Sequence, residues 1–278
     1  MTPDPRAEEL REWLAQACPQ TRGPLQAITG DASFRRYFRV PCDDGPCMAM
    51  DAPPEREGVE PFVRVARRLE AAGVQAPHVI AVDERRGFVL MSDLGDRLYL
   101  DALDAHSAES LYRDALDTLV RMQAAVPTSD LPPYDRERLR AEMALFPTWL
   151  LGAHLGIDVD AIAPALAETT EGLADAALEQ PRVFVHRDYH SRNLMVTAHD
   201  NPGVLDFQDA VAGPLTYDLV SLLRDCYVAW DDARVEHWIA GYHQRAAAAG
   251  LGVPEAATLR RWFDLMGAQR HLKAAGIF

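Results

Sequence analysis

The chain carries His186-Arg187-Asp188, four intervening residues and Asn193, and then, one short hairpin later, Leu205-Asp206-Phe207. No other feature constrains the fold as tightly. Val183-Phe184-Val185 reads as a buried strand leading into a loop. Residues 194–197 read as a strand, 199–203 as turn chemistry, and Val204-Leu205 as the return strand. A hairpin of that kind brings Asn193 and Asp206 to the same end, where two oxygen ligands can share one Mg²⁺ ion. Asp188, on the loop before the hairpin, is then the candidate to face an acceptor hydroxyl. Three residues on two adjoining loops supply positioning and charge neutralisation, the main needs of phosphoryl transfer.

The pattern H-R-D-x-x-x-x-N followed by D-F is the phosphoryl-transfer layout of kinase-like folds, so the chain reads as a small-molecule kinase. A rival reading takes His186, Asp188 and His190 as a fragment of a zinc or iron hydrolase site. That site needs further ligands at metal spacing, and the remaining histidines are scattered along the chain.

Local patterns extend the reading. Asp4 as N-cap, Pro5 in the first helical position, and Leu10, Trp13, Leu14 and Ala17 at helical spacing predict an amphipathic helix. Strand patterns follow over 25–28, 34–40, 47–50, 79–82 and 88–91, with a helix over 61–72 between the third and fourth. That order matches the small lobe of a kinase. Ser92-Asp93-Leu94-Gly95 would be the hinge, and helices are expected over 107–125, 136–155, 162–178, 217–230, 235–249 and from 255 onward. The expectation is an α+β, bilobal protein-kinase-like fold, with a β-rich N-lobe over 1–93 and a larger, mostly helical C-lobe over 94–278. Leu139, Met143, Phe146 and Leu150 have core spacing on the second of these helices, which makes Trp149 a packing residue.

Composition excludes several alternatives. A chain of 278 residues, 48% hydrophobic, can bury a sizeable core, and it contains no apolar run of membrane-spanning length. The N-terminus lacks an export pattern, so a cytoplasmic protein is expected, and separately a monomer. Four cysteines (18, 42, 47 and 226) form no CxxC pair. Cys42 and Cys47 flank the turn Asp43-Asp44-Gly45-Pro46 and could face each other across a hairpin, although reduced thiols suit a cytosolic chain. A formal charge of −14 argues against a nucleic-acid partner. It mildly favours cationic or neutral substrates and is compatible with ATP, because Mg²⁺ screens the phosphates.

ATP is expected between the lobes, with adenine against Met91, Asp93 and Leu94. Gly30-Asp31-Ala32-Ser33 occupies the place of a phosphate-covering loop, with Ser33 as a candidate donor. The third strand should offer a lysine to the phosphates, yet the only lysine of the chain is Lys273. Alternation puts Arg35, Tyr37 and Arg39 on one strand face. Arg35 and Arg39 are therefore the candidate replacements, since a guanidinium grips phosphate through two hydrogen bonds.

Taken together, these features resemble the aminoglycoside-phosphotransferase superfamily of small-molecule kinases. The stretches 30–39 and 50–55, with Leu205-Asp206-Phe207-Gln208-Asp209-Ala210, 222–227 and Gln269-Arg270-His271-Leu272-Lys273, resemble its anomeric sugar kinases. Those enzymes act on N-acetylmuramate and N-acetylglucosamine in cell-wall recycling. The resemblance implies ATP-dependent transfer to the C1 hydroxyl, with Asp188 as the catalytic aspartate and Asn193 and Asp206 as magnesium ligands. It also implies that Asp218 braces the catalytic loop, with His186 in support, and that the absent third-strand lysine is a feature of the subfamily. Glu142, Arg224 and Asp225 are candidate sugar contacts, Arg224 as a partner for the N-acetylmuramate carboxylate. Members of the family continue beyond 269–273, whereas this chain stops at Phe278, which raises the possibility of truncation. The alternatives are an aminoglycoside or choline-like kinase, which the acidic balance would suit, and a nucleotide-binding pseudokinase.

Overall fold

The structure is a computed structural model and describes residues 4–19, 23–28, 34–42 and 45–278. The first helix, α1 (Pro5–Ala17), starts where sequence chemistry demands: Asp4 accepts a hydrogen bond from the Ala7 N–H at 3.2 Å. Its buried stripe of Leu10, Trp13 and Leu14 lies on one face of an antiparallel sheet, against Phe38, Val40, Ala49, Phe88 and Leu90. Full burial of such a side chain contributes about 1.5–3 kcal/mol.

That sheet comprises β1 (Gln26–Ile28), β2 (Arg36–Cys42), β3 (Gly45–Asp51), β4 (Val79–Asp83) and β5 (Phe88–Ser92), in spatial order β1-β2-β3-β5-β4. Helix α2 (Glu60–Ala71) falls between β3 and β4. Strand alternation separates two functions. Even-numbered residues of β2 pack beneath α1, while Tyr37 and Arg39 turn to the other face. Asp51, fully buried at the end of β3, accepts hydrogen bonds from Arg6 Nε at 3.1 Å and Arg36 Nε at 3.0 Å, fastening α1 to the sheet.

The second lobe is mostly helical: α3 (Tyr99–Ala102), α4 (Ala108–Ala125), α5 (Arg136–Met143), α6 (Ala163–Leu178), α7 (Tyr217–Leu223), α8 (Asp232–Ala248) and α9 (Ala256–Ile277). Two small ladders hold its loops, β6 (Arg182–Val185) with β9 (Val211–Pro214), and β7 (Leu194–Met195) with β8 (Gly203–Val204). One large apolar core runs from α2 and the inner face of the sheet through this lobe. The bilobal, kinase-like expectation is thus met. Among the described residues, no helix is long and apolar enough to cross a membrane.

Several expectations are corrected. The helix expected over 136–155 stops at Met143 and gives way to wider π-type turns over Phe146–His154. Wider turns rotate later residues away from 3.6-residue spacing, so Trp149 is 58% exposed and does not pack in the core. The helix expected over 217–230 ends at Leu223, because Asp225 leaves helical geometry to accept hydrogen bonds from Ser191 and Tyr227 N–H groups, each at 2.9 Å. Strand β9 was not expected: Gly213 and Pro214 carry the wrong propensity for a strand, and pairing with β6 overrides it.

Cys42 and Cys47 are not direct register partners across the hairpin. Cys42 pairs with Gly45 and Cys47 with Val40, and all four cysteines are free thiols. Burial, with Cys47 and Cys18 alongside, pushes the Cys42 thiol up to about 12.

Candidate active site

Strand β6 delivers a buried apolar segment to His186, and the chain then turns sharply. Arg187 adopts a left-handed φ of 82°, a costly conformation for a bulky residue. Its backbone is held there by Asp218 in the first turn of α7. That carboxylate accepts the His186 N–H at 2.6 Å and the Arg187 N–H at 3.0 Å. Burial raises the Asp218 carboxyl above its ordinary value, while His186 and the two N–H groups oppose the shift. From the other side, the Arg187 guanidinium meets Glu142 at 2.7 Å, and Ser221 donates its hydroxyl to the Arg187 carbonyl at 3.3 Å.

His186 connects this loop to the next. Its Nε2 donates to the Leu205 carbonyl at 2.8 Å, and its Nδ1 accepts the Asp188 N–H at 3.3 Å, which assigns the tautomer. Asn193 donates its amide N–H to the Asp188 carbonyl at 2.9 Å, and the Leu205 N–H returns to the Asn193 carbonyl at 2.9 Å. Asp206 also has a left-handed φ, 61°, and accepts from Gln208 Nε2 at 2.8 Å. Phe207 beside it is fully buried and stacks on Phe62 of α2, with ring centroids 4.9 Å apart. Both nitrogens of His186 are therefore spent on backbone. Among the described residues, no group of three His, Cys, Asp or Glu side chains could hold a metal ion, and the hydrolase-site reading loses its ligands.

Burial works against a charge on Asp188. The fields of Lys273, Arg270, His186 and His190 outweigh it and hold the carboxyl below the usual carboxylate range. His190 stands nearby with its ring 5.5 Å from that of Tyr227. Burial lowers its pKa, and its buried Nδ1 has no hydrogen-bond partner among the described residues.

A cavity of about 560 Å³ opens between the lobes. Met91, Asp93 and Leu94 line its hinge side, Arg35, Tyr37, Arg39 and Met48 the sheet side, and Asn193, Asp206 and Phe207 the C-lobe side. Arg39 is the register partner of Met48, so a cation stands directly across from a third-strand position that carries none. It is braced by Asp93 and by Asp96 at 2.6 Å. Arg35 is buried and ion-paired with Glu57. Ser33 lies outside the described residues.

None of the three sugar-contact candidates lines the inter-lobe cavity, and Arg224 and Asp225 instead share the lining of a smaller pocket. Glu142 is committed to Arg187 and to the Tyr134 hydroxyl. Arg224 is held by Asp264 at 2.6 Å and lies over the Phe263 ring, in the manner of a structural bridge. Asp225 anchors the loop after β6 by accepting the Ser191 N–H at 2.9 Å. Sequence reasoning missed Arg270 and Lys273 of α9, whose charges reach Asp188. The signal was present: the only lysine of the chain sits three residues after an arginine, one helical turn away in the same helix.

Comparison with known proteins gives the class first. Residues 24–259 match the phosphotransferase enzyme family, so the chain is a phosphotransferase. It is 45% identical to an N-acetylmuramate/N-acetylglucosamine kinase of Pseudomonas putida, over 99% of this chain and 84% of that one. The corresponding kinase of Pseudomonas aeruginosa is 44% identical, over 100% and 86%. Among solved structures, choline kinase from Cryptosporidium parvum superposes with a TM-score of 0.67 at 12% identity, covering 96% of this chain and 87% of that one, a likeness of fold. The chain belongs to the N-acetylmuramate/N-acetylglucosamine kinase family, within the aminoglycoside-phosphotransferase superfamily.

Proposed function

We propose that this protein transfers the γ-phosphoryl group of ATP to the anomeric C1 hydroxyl of N-acetylmuramate or N-acetylglucosamine, in cell-wall recycling in the cytoplasm. The observation that carries the reading is the single hydrogen-bonded network joining Asp188, Asn193 and the Asp206 loop beside a cavity of about 560 Å³. The kinship with amino-sugar kinases supports the acceptor class.

In this reading the lobes divide between residues 93 and 94, and adenine lies against Met91, Asp93 and Leu94. Arg39, already oriented by Asp93 and Asp96, turns its remaining donor capacity to the phosphates, with Arg35 behind it and Ser33 as a further donor. The side-chain oxygens of Asn193 and Asp206 form an all-oxygen donor pair of the kind magnesium takes. Bound there, the ion would neutralise phosphate charge. Asp188 orients the C1 hydroxyl and accepts its proton as the new O–P bond forms and the bond to ADP breaks. An anomeric hydroxyl is more acidic than an ordinary alcohol, so a carboxylate held ionised is a sufficient base. Asp218 and His186 hold the loop, and Glu142 and Asp225 act through Arg187 and Ser191.

ADP release with Mg-ATP, measured across N-acetylmuramate, N-acetylglucosamine, other hexoses, aminoglycosides and choline, tests the reading. Turnover confined to the N-acetylated sugars is expected. Turnover of aminoglycosides or choline, or nucleotide binding without any turnover, would overturn it.

A further inference from the structure

Helix α9 carries two cations to the catalytic loop. Arg270 and Lys273 are three residues apart and share a helix face. Both reach over Tyr217: the Arg270 guanidinium carbon is 5.0 Å from the ring centroid, the Lys273 Nζ 6.0 Å. Arg270 also donates to the Arg187 carbonyl at 3.4 Å, beside Asp188.

Their hydrogen bonding is thin for groups so well covered. The Lys273 side chain is only 13% exposed, yet its ammonium makes one hydrogen bond, to the Tyr217 hydroxyl at 3.3 Å, and one long ion pair, to Glu142 at 3.6 Å. An ammonium offers three donors. Arg270 makes no ion pair among the described residues, and its Nε is buried without a partner.

The surrounding carboxylates are largely engaged elsewhere. Glu142 is taken by Arg187 and Tyr134, Asp218 by two backbone N–H groups, and Asp225 by Ser191 and Tyr227. Lys273 thus keeps only the long pair to Glu142, and among the described residues neither cation forms an ion pair with Asp188. Burial disfavours the ammonium, but Tyr217, Glu142 and Asp188 outweigh it and keep Lys273 charged.

We propose that Arg270 and Lys273 form the seat of a carboxylate on the acceptor, so that an anionic amino sugar is selected over its neutral counterpart. The inference rests on the function proposed above and specifies its substrate. N-acetylmuramate differs from N-acetylglucosamine by a lactyl ether that ends in a carboxylate. A charge-assisted pair of hydrogen bonds from an ammonium and a guanidinium suits that group. The seat adjoins the catalytic loop, where the acceptor must lie, and the nucleotide keeps its own arginines on the sheet.

The experiment compares kcat/KM for N-acetylmuramate and N-acetylglucosamine in wild type, Lys273→Met and Lys273→Arg. The ratio of the two should fall at least tenfold in Lys273→Met and recover in Lys273→Arg. An equal loss on both sugars would overturn the seat and make Lys273 a general support of Asp188. A second arm needs no variant: wild-type enzyme should show at least a tenfold higher KM for the methyl ester of N-acetylmuramate than for the free acid. Equal KM values would overturn the proposal even if Lys273→Met does not fold. Wild-type activity on neither sugar would instead remove the proposed function, and the seat with it.

Discussion

At the scale of single residues, the catalytic loop is defined by what its backbone must tolerate. Arg187 is left-handed because Asp218 gathers two successive N–H groups, and Asp188 follows directly from that twist. Replacing Asp188 by alanine should lower kcat by about 10²–10⁴, the usual worth of a positioned base. ATP affinity by calorimetry should change little, and equal losses in both would contradict the role. Glu142 gives a pH test. Burial opposes its charge, but Lys273, the Tyr134 hydroxyl and Arg187 hold its carboxyl below the usual range. A depressed folded value means the stabilisation is present above the unfolded value of about 4.3 and is lost as pH falls below it. Glu142→Gln should therefore flatten the acid limb of a plot of melting temperature against pH between about 5 and 3. The sequence marked Asp188, Asn193 and Asp206 as candidates by their spacing, and Asn193 and Asp206 line one cavity. It could not disclose that Glu142 faces inward to Arg187, because that pairing joins residues far apart along the chain.

At the scale of elements, helix extents were legible where local pattern decides and illegible where tertiary demand does. The cap at Asp4 and the face of α1 follow from neighbouring residues alone. The early end of α7 follows from Asp225 serving Ser191, a need written in another segment. Helix α9 depends on a close approach of the same kind. A Cβ on Gly276 would lie 2.3 Å from the Leu145 carbonyl carbon and 2.5 Å from the Phe146 nitrogen. Both are backbone atoms at the junction where α5 yields to π-type turns, and backbone cannot rotate aside. Gly276→Ala should cost about 1–3 kcal/mol as overpacking, read as a lower midpoint in chemical denaturation. It should also raise the KM for the sugar, since the same helix carries Arg270 and Lys273.

At the scale of the whole molecule, the two lobes are joined through aromatic stacking beneath the cavity. Phe62 belongs to the small lobe and Phe207 to the segment that carries Asp206, so the ring pair connects the position of α2 with that of the proposed metal ligand. Phe62→Ala should cost about 3–5 kcal/mol and raise the KM for ATP more than that for the sugar. A rise confined to the sugar would break this link. The two-lobe plan was legible because strand order and the late catalytic hairpin leave few alternatives. The joining contact was not, since each phenylalanine also fits an ordinary core position. One further consequence concerns the order of synthesis. The residues that line the inter-lobe cavity are all translated by Phe207, whereas Arg270 and Lys273 emerge later, with α9. During growth on the ribosome the cavity's whole lining is therefore made before either cation of α9, so a chain halted between Phe207 and Arg270 would lack the proposed carboxylate seat.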